Sequence, residues 1–174
     1  MLKKVLSTVL ALATVLTLCV AFASCEKKGT ENLKVGFIFL HDDTSTYDKN
    51  FMNGAKEAQQ ALGLKDDQII FKYPVEEGKA CYDAAADLVD QGCTIVFADS
   101  FGHEEWMIKA AKEFPNVQFC HATGVKAHTE KLDNYHNAFA SIYEGRYLAG
   151  VAAGLKLNEM IEAGDITAEE AKIG

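Results

Sequence analysis

Lys34–Ala61 reads KVGFIFLHDDTSTYDKNFMNGAKEAQQA, and its three-part pattern decides the fold. Leu33–Leu40 is a short apolar run containing Val35, Phe37, Ile38 and Phe39, the signature of a buried strand. His41–Thr46 is a polar loop with two aspartates and three hydroxyl residues. A helix then begins near Tyr47, with Ser45 or Thr46 as its cap and Asp48 in its first turn. In open parallel sheets, ligands bind just beyond the carboxyl ends of the strands. The loop that carries Asp42 is therefore expected to form the first wall of a cleft, with Tyr47 as an aromatic surface at its edge.

The same pattern recurs along the chain. Gly63 stops the first helix, and Gln68–Tyr73 reads as a second strand closed by Pro74. Gly78–Gln91 reads as a helix with Cys81, Ala84, Ala85 and Leu88 on one face. Thr94–Ala98 is a third strand, and Asp99-Ser100-Phe101-Gly102 turns into a helix over His103–Phe114. Val117–Cys120 is a fourth strand, followed by a polar loop through His121–Asn137. A fifth strand is expected over Ala138–Ser141 and a helix over Tyr143–Leu157. Such alternation with short connections predicts an α/β fold, a Rossmann-like parallel sheet flanked by helices. Neither GxGxxG nor GxxxxGK[ST] occurs, so a dinucleotide site or a phosphate loop is not indicated.

The strand-end loops gather the polar candidates: His41-Asp42-Asp43, Asp99-Ser100, His121-Ala122-Thr123 and Ser141. Tyr47 and Phe101 are aromatic rings at loop–helix junctions, able to stack on a flat ligand or on a neighbour. Ser45, Thr46, Asp99 and Ser100 read equally well as helix caps. The five histidines show no i,i+4 pair and no HExxH, so no metal or other cofactor is expected. A GxSxG elbow is absent, and no residues are assigned to catalysis. The five cysteines form no CxxC and no paired framework; Cys81 and Cys120 read as small buried hydrophobes.

Residues 1–24 have the features of a secretory signal: Lys3 and Lys4, then an apolar stretch, then Phe22-Ala23-Ser24 before Cys25. Small residues ahead of a cysteine resemble a bacterial lipobox, which makes Cys25 the expected lipidation site and residues 25–32 a tether. An uncleaved membrane-spanning anchor is the competing reading. In both cases the remainder lies on the extracytoplasmic face of the cell membrane. The formal charge of −8, with no basic run, argues against nucleic acid as a partner.

Three segments carry a resemblance to a known family. Lys34–Gly54, CYDAAADLVDQGCTIVFADSFGH over Cys81–His103, and YEGRYLAGVAAG over Tyr143–Gly154 are similar to the basic membrane protein family. Its members are substrate-binding lipoproteins of ABC importers, several of them receptors for purine nucleosides. The resemblance implies a periplasmic-binding-protein type I fold, in which two α/β lobes close on a ligand. It implies that residues 33–157 are the N-terminal lobe and that residues 158–174 lead toward a second lobe, so that the chain is a fragment holding one lobe of two. Tyr47 matches the position of an aromatic ring against the nucleobase, Asp48 the acidic or amide residue beside it, and Glu144 the acidic residue before YLAG. Where many members end the fourth strand in Asp, this chain has His121. The implied partners are a nucleoside-like small molecule, the ABC permease subunits, and the membrane through the lipid. An extracellular sensor domain on the same fold is the alternative, with an extracytoplasmic nucleoside-processing enzyme behind it.

Overall fold

The protein is described by a computed structural model over residues 29–173; the signal segment, Cys25 and Gly174 lie outside the described residues. The chain divides into two units, one ending at Asn137 and the other beginning at Ala138.

The first unit is built on strands β1 (Val35–Ile38), β2 (Ile69–Lys72), β3 (Ile95–Ala98), β4 (Gln118–Ala122) and β5 (Tyr135–Ala138), in the order β2-β1-β3-β4-β5. β1 pairs in parallel with both β2 and β3, and β3 with β4. Its long helices are α1 (Thr46–Leu62), α2 (Lys79–Asp90) and α3 (Glu104–Glu113); a single turn, α4 (Ala127–Glu130), precedes β5. The chain leaves β1 for one side of it and returns through β3 on the other. The strand order therefore reverses between β1 and β3, and a crevice opens there at the strand ends.

Alternation along β1 divides the two faces of the sheet. Ile38, Val96 and Phe119 form a core with Cys81, Ala85 and Leu88 of α2 and with Met107, Ile108, Ala110 and Ala111 of α3. On the other face Phe37 stacks on Phe97 at 5.1 Å and meets Phe71 edge-on at 5.4 Å. Gly36 permits the close approach of α2: a Cβ there would lie 2.7–3.1 Å from three side-chain carbons of the fully buried Leu88.

Helix α1 starts as its sequence suggests. Ser45 is the N-cap, its hydroxyl accepting from the Asp48 N–H, and Gly63 ends the helix in the left-handed conformation at φ 65°. The buried face of α1 consists of Asp48, Met52 and Ala55.

The structure departs from the sequence reading around β4 and β5. β4 runs on to Ala122 rather than stopping at Cys120, and β5 begins at Tyr135 rather than Ala138. The polar residues in this region have internal partners that a linear reading does not show. His121 is buried with its Nε2–H on the Ser100 carbonyl at 2.6 Å. Asn134 donates its amide to the carbonyls of Ala111, Phe114 and Val117, which fixes the entry to β5 and lets Tyr135 pack inward.

The second unit is mainly one helix, α5 (Ile142–Glu162), longer than the expected Tyr143–Leu157. Among the described residues no helix is long and apolar enough to cross a membrane.

Gly36→Ala forces the new methyl against Leu88 and is expected to destabilise the fold by about 1–3 kcal/mol. Adding Leu88→Ala should relieve that clash, so the two costs will fall short of additivity in chemical denaturation.

Candidate functional site

The β1–α1 and β3–α3 connections flank the crevice, and their carboxylates meet. Asp48 is 1% exposed. Its Oδ1 accepts the His41 N–H at 3.1 Å, and its Oδ2 accepts the His41 Nδ1–H at 3.1 Å and the Ser45 hydroxyl. Burial pushes its carboxyl up, but the hydrogen bonds from Ser45 and His41 outweigh burial and hold it below the usual carboxylate range.

Asp99, 2% exposed, has the opposite balance. Both carboxylate oxygens are buried without a close hydrogen bond, and the backbone N–H groups of Leu40 and Asp99 lower its carboxyl by less than burial raises it. Burial first, and then the neighbouring Asp48 charge, push it up to about 7. A proton on Asp99 relieves the repulsion between the two acids.

Tyr47 bridges the two loops. Its hydroxyl donates to the Asp99 carbonyl at 3.1 Å, while its ring, 45% exposed, meets Phe51 edge-on at 5.1 Å. Burial, and then the Asp99 charge, raise the Tyr47 phenol above its ordinary value. The Asp99 carbonyl also accepts from Thr123 at 3.4 Å. Thr123 is held at φ 75°, a conformation uncommon for a residue with a β-branched side chain.

Two glutamates hold the neighbouring turns. Glu77 Oε1 accepts the Ser100 hydroxyl at 2.6 Å and the Gly102 N–H at 2.9 Å. These bonds, the Ser100 one foremost, lower its carboxyl below the ordinary value. Glu104, buried in the first turn of α3, accepts the Val125 and Lys126 N–H groups at 2.7 and 2.8 Å and the Tyr135 hydroxyl at 3.3 Å. The acid that opens α3 thus organises the loop after β4 in addition to facing the helix N-terminus.

The expected site residues therefore fall into groups. Tyr47, Asp48, Asp99 and Ser100 come together at the crevice. Phe101, 67% exposed, projects from the turn after β3. His121 lies beneath that turn, neutral because burial lowers its imidazole. Asp42 is exposed, with Oδ1 holding the Thr44 N–H at 3.0 Å. It lines an open depression of about 500 Å3 with His41, Thr44, Ser45 and Pro74. Glu144 belongs to the second unit, in the first turn of α5.

Sequence reasoning missed Phe51 and Glu77, and read Glu104 only as an acid at a helix start. Phe51 stands at i+4 from Tyr47 on the same helix face, a spacing that was available to find it. Glu77 and Glu104 make their contacts across 21 or more residues, and no local pattern marks those contacts.

The Bmp family model, described as an ABC transporter substrate-binding protein, PnrA-like, matches residues 36–164. A purine-binding protein of Brucella abortus is 38% identical over 126 residues, covering 71% of this chain and 34% of that protein. A Haloferax volcanii protein named as an ABC transporter glucose-binding protein is 30% identical over 100 residues, covering 57% of this chain and 25% of its own length. A solved ABC transporter solute-binding protein from Conexibacter woesei superposes with a TM-score of 0.53 at 16% identity, over 62% of this chain and 35% of that one. The chain thus spans about a third of the length of the first curated relative and of the solved structure, and about a quarter of the second relative.

The raised Asp99 carboxyl carries a stability signature. Below pH of about 4, both the folded and the unfolded chain hold its proton. Between that pH and about 7, only the folded chain keeps it, so rising pH withdraws stability across this window. Asp99→Asn is expected to remove that slope and to melt higher than the wild type above pH of about 7. Thermal melts at pH values across the window, compared as the difference between the two proteins, measure this.

Proposed function

The chain belongs to the PnrA-like ABC transporter substrate-binding proteins, and from that premise we propose that it captures a small, planar, hydrogen-bonding solute, a nucleoside first of all, for an ABC importer. One observation supports this reading above the others. At the β1/β3 crevice, exposed aromatic rings stand on the polar strand-end loops, with Tyr47 held there by its hydroxyl on the Asp99 carbonyl. A flat ligand would stack on Tyr47, Phe51 or Phe101 and exchange hydrogen bonds with polar groups of the strand-end loops, as small-molecule sites commonly arrange. The protein performs no chemistry in this reading. It acts by capture, with a second lobe closing over the ligand and the closed form engaging the permease.

The name of the Brucella abortus relative supports a purine-containing ligand. The name of the Haloferax volcanii relative favours a second reading, a hexose. Calorimetric titration with adenine, adenosine, inosine and glucose separates them. A purine or nucleoside is expected to bind, and Tyr47→Ala should cost about 1–3 kcal/mol of that affinity through lost stacking. Glucose binding alone would replace the nucleoside by a hexose, and silence from all four would overturn solute capture of either class.

Cys25, with small residues before it, is proposed as the lipid attachment point that keeps the protein on the extracytoplasmic face of the membrane. The intact mass of the membrane-extracted protein is expected to show loss of residues 1–24 and the added mass of acyl chains. An uncleaved, unmodified N-terminus would point instead to a spanning anchor and a sensor-like arrangement.

A further inference from the structure

Glu77 stands in the β2–α2 connection, outside every segment that places a side chain in the crevice. Its Oε1 nevertheless reaches across to the β3–α3 turn and accepts from two residues, the Ser100 hydroxyl at 2.6 Å and the Gly102 N–H at 2.9 Å. Those are the residues on either side of Phe101, whose ring is 67% exposed at the strand-end edge.

The backbone leading to Glu77 is itself fixed. The Val75 N–H donates to the Phe39 carbonyl at 3.0 Å, and the Val75 carbonyl accepts the His103 Nε2–H at 3.0 Å. From the far side, His121 Nε2–H holds the Ser100 carbonyl at 2.6 Å. The turn is therefore gripped at Ser100 from two directions and at Gly102 from one, with Phe101 between. Gly102 has room for hydrogen only, because a Cβ there would fall on the Glu77 carboxylate.

We infer that Glu77 is a positioning residue for ligand capture, latching the Ser100–Gly102 turn so that the Phe101 ring is presented to the solute in one orientation. The inference rests on the reading that this edge binds a planar solute. An exposed ring on a free turn loses conformational entropy when it stacks on a ligand. A ring on a latched turn has lost much of it already, so ligand binding is tighter without any contact from Glu77 itself. Both bonds need only an acceptor oxygen, which an amide supplies as well as a carboxylate does.

The test uses the whole chain and calorimetric titration with adenosine and inosine, on the wild type, Glu77→Ala, Glu77→Gln, Phe101→Ala and the Glu77→Ala/Phe101→Ala double variant. Glu77→Ala is expected to bind about tenfold more weakly, the loss of roughly one charge-assisted hydrogen bond. Glu77→Gln should stay within about threefold of the wild type, because its amide oxygen still accepts both bonds. In the Phe101→Ala background, Glu77→Ala should cost nothing further, which a general loss of folding stability would not reproduce. Gly102→Ala, which displaces the carboxylate while leaving Glu77 in place, should match Glu77→Ala and serves if that variant does not fold.

Wild-type affinity in both Glu77→Ala and Gly102→Ala overturns the inference alone. So does an undiminished cost of Glu77→Ala when Phe101 is already absent. Failure of the wild type to bind either nucleoside overturns the nucleoside reading and the positioning role with it. Amide hydrogen exchange at Gly102 reads the latch without ligand: it should quicken in Glu77→Ala, and unchanged exchange there also overturns the inference.

Discussion

The strand-end edge depends on how one buried charge is satisfied. Asp48 occupies a position on the inner face of α1, in line with Met52 and Ala55, where an apolar side chain would ordinarily sit. An ionised carboxylate in that place needs donors. The loop before it supplies them from the His41 backbone, the His41 ring and the Ser45 hydroxyl. Meeting that need folds His41–Ser45 back onto the helix start, makes Ser45 the N-cap and sets Tyr47 facing the end of β3. Asp99 has no comparable set of donors: the backbone N–H groups of Leu40 and Asp99 pull its carboxyl down by less than burial pushes it up, and it holds its proton up to a pH of about 7. The two acids are adjacent and chemically unlike because hydrogen bonds to one of them outweigh its burial and hydrogen bonds to the other do not.

A related device recurs on the neighbouring turns. Glu77 gathers the turn after β3, and Glu104 gathers the loop after β4. In each case one carboxylate accepts at least one backbone N–H from a short strand-end connection. Loops held this way keep a defined shape at a polar edge, where apolar packing is scarce. A binding surface made of loops on rigid strands needs such restraint if its aromatic rings are to meet a ligand without a large ordering cost. Histidines contribute from beneath: His103 and His121 are buried, each giving Nε2–H to a carbonyl of a strand-end connection. Burial keeps both rings neutral.

Much of the fold was legible in particular residues. The apolar runs around Ile38, Val96 and Phe119 are short and bounded by turn residues, and each became a strand. Cys81, Ala85 and Leu88, spaced for one helix face, became the buried side of α2. The reading failed where polar residues are internally bonded. His121 and Asn134 look like loop residues, yet one lies within β4 and the other anchors the start of β5 through three carbonyls. Tyr47, Asp48, Asp99 and Ser100 come together at the crevice because strand–loop–helix topology brings such loops to one edge. Asp48 could also have been recognised as buried from its i, i+4, i+7 spacing with Met52 and Ala55.

The sequence by itself determined the α/β alternation, the loops that face the crevice and the kinship with a family of substrate-binding proteins. These follow from local periodicity, capping and short-range composition, which act within a few residues of chain. The tertiary structure alone decided the bounds of the fifth strand, the protonation contrast between Asp48 and Asp99, and the contacts of Glu77 and Glu104. The grips of Glu77 and Glu104 depend on partners 21 or more positions away, the anchoring of β5 on carbonyls 17 or more positions away, and the contrast between the acids on burial that exists only once the sheet and helices have packed. A carboxylate's charge state and its grip on a turn are set by what surrounds it in space, and the linear order of residues does not contain that information in any local pattern.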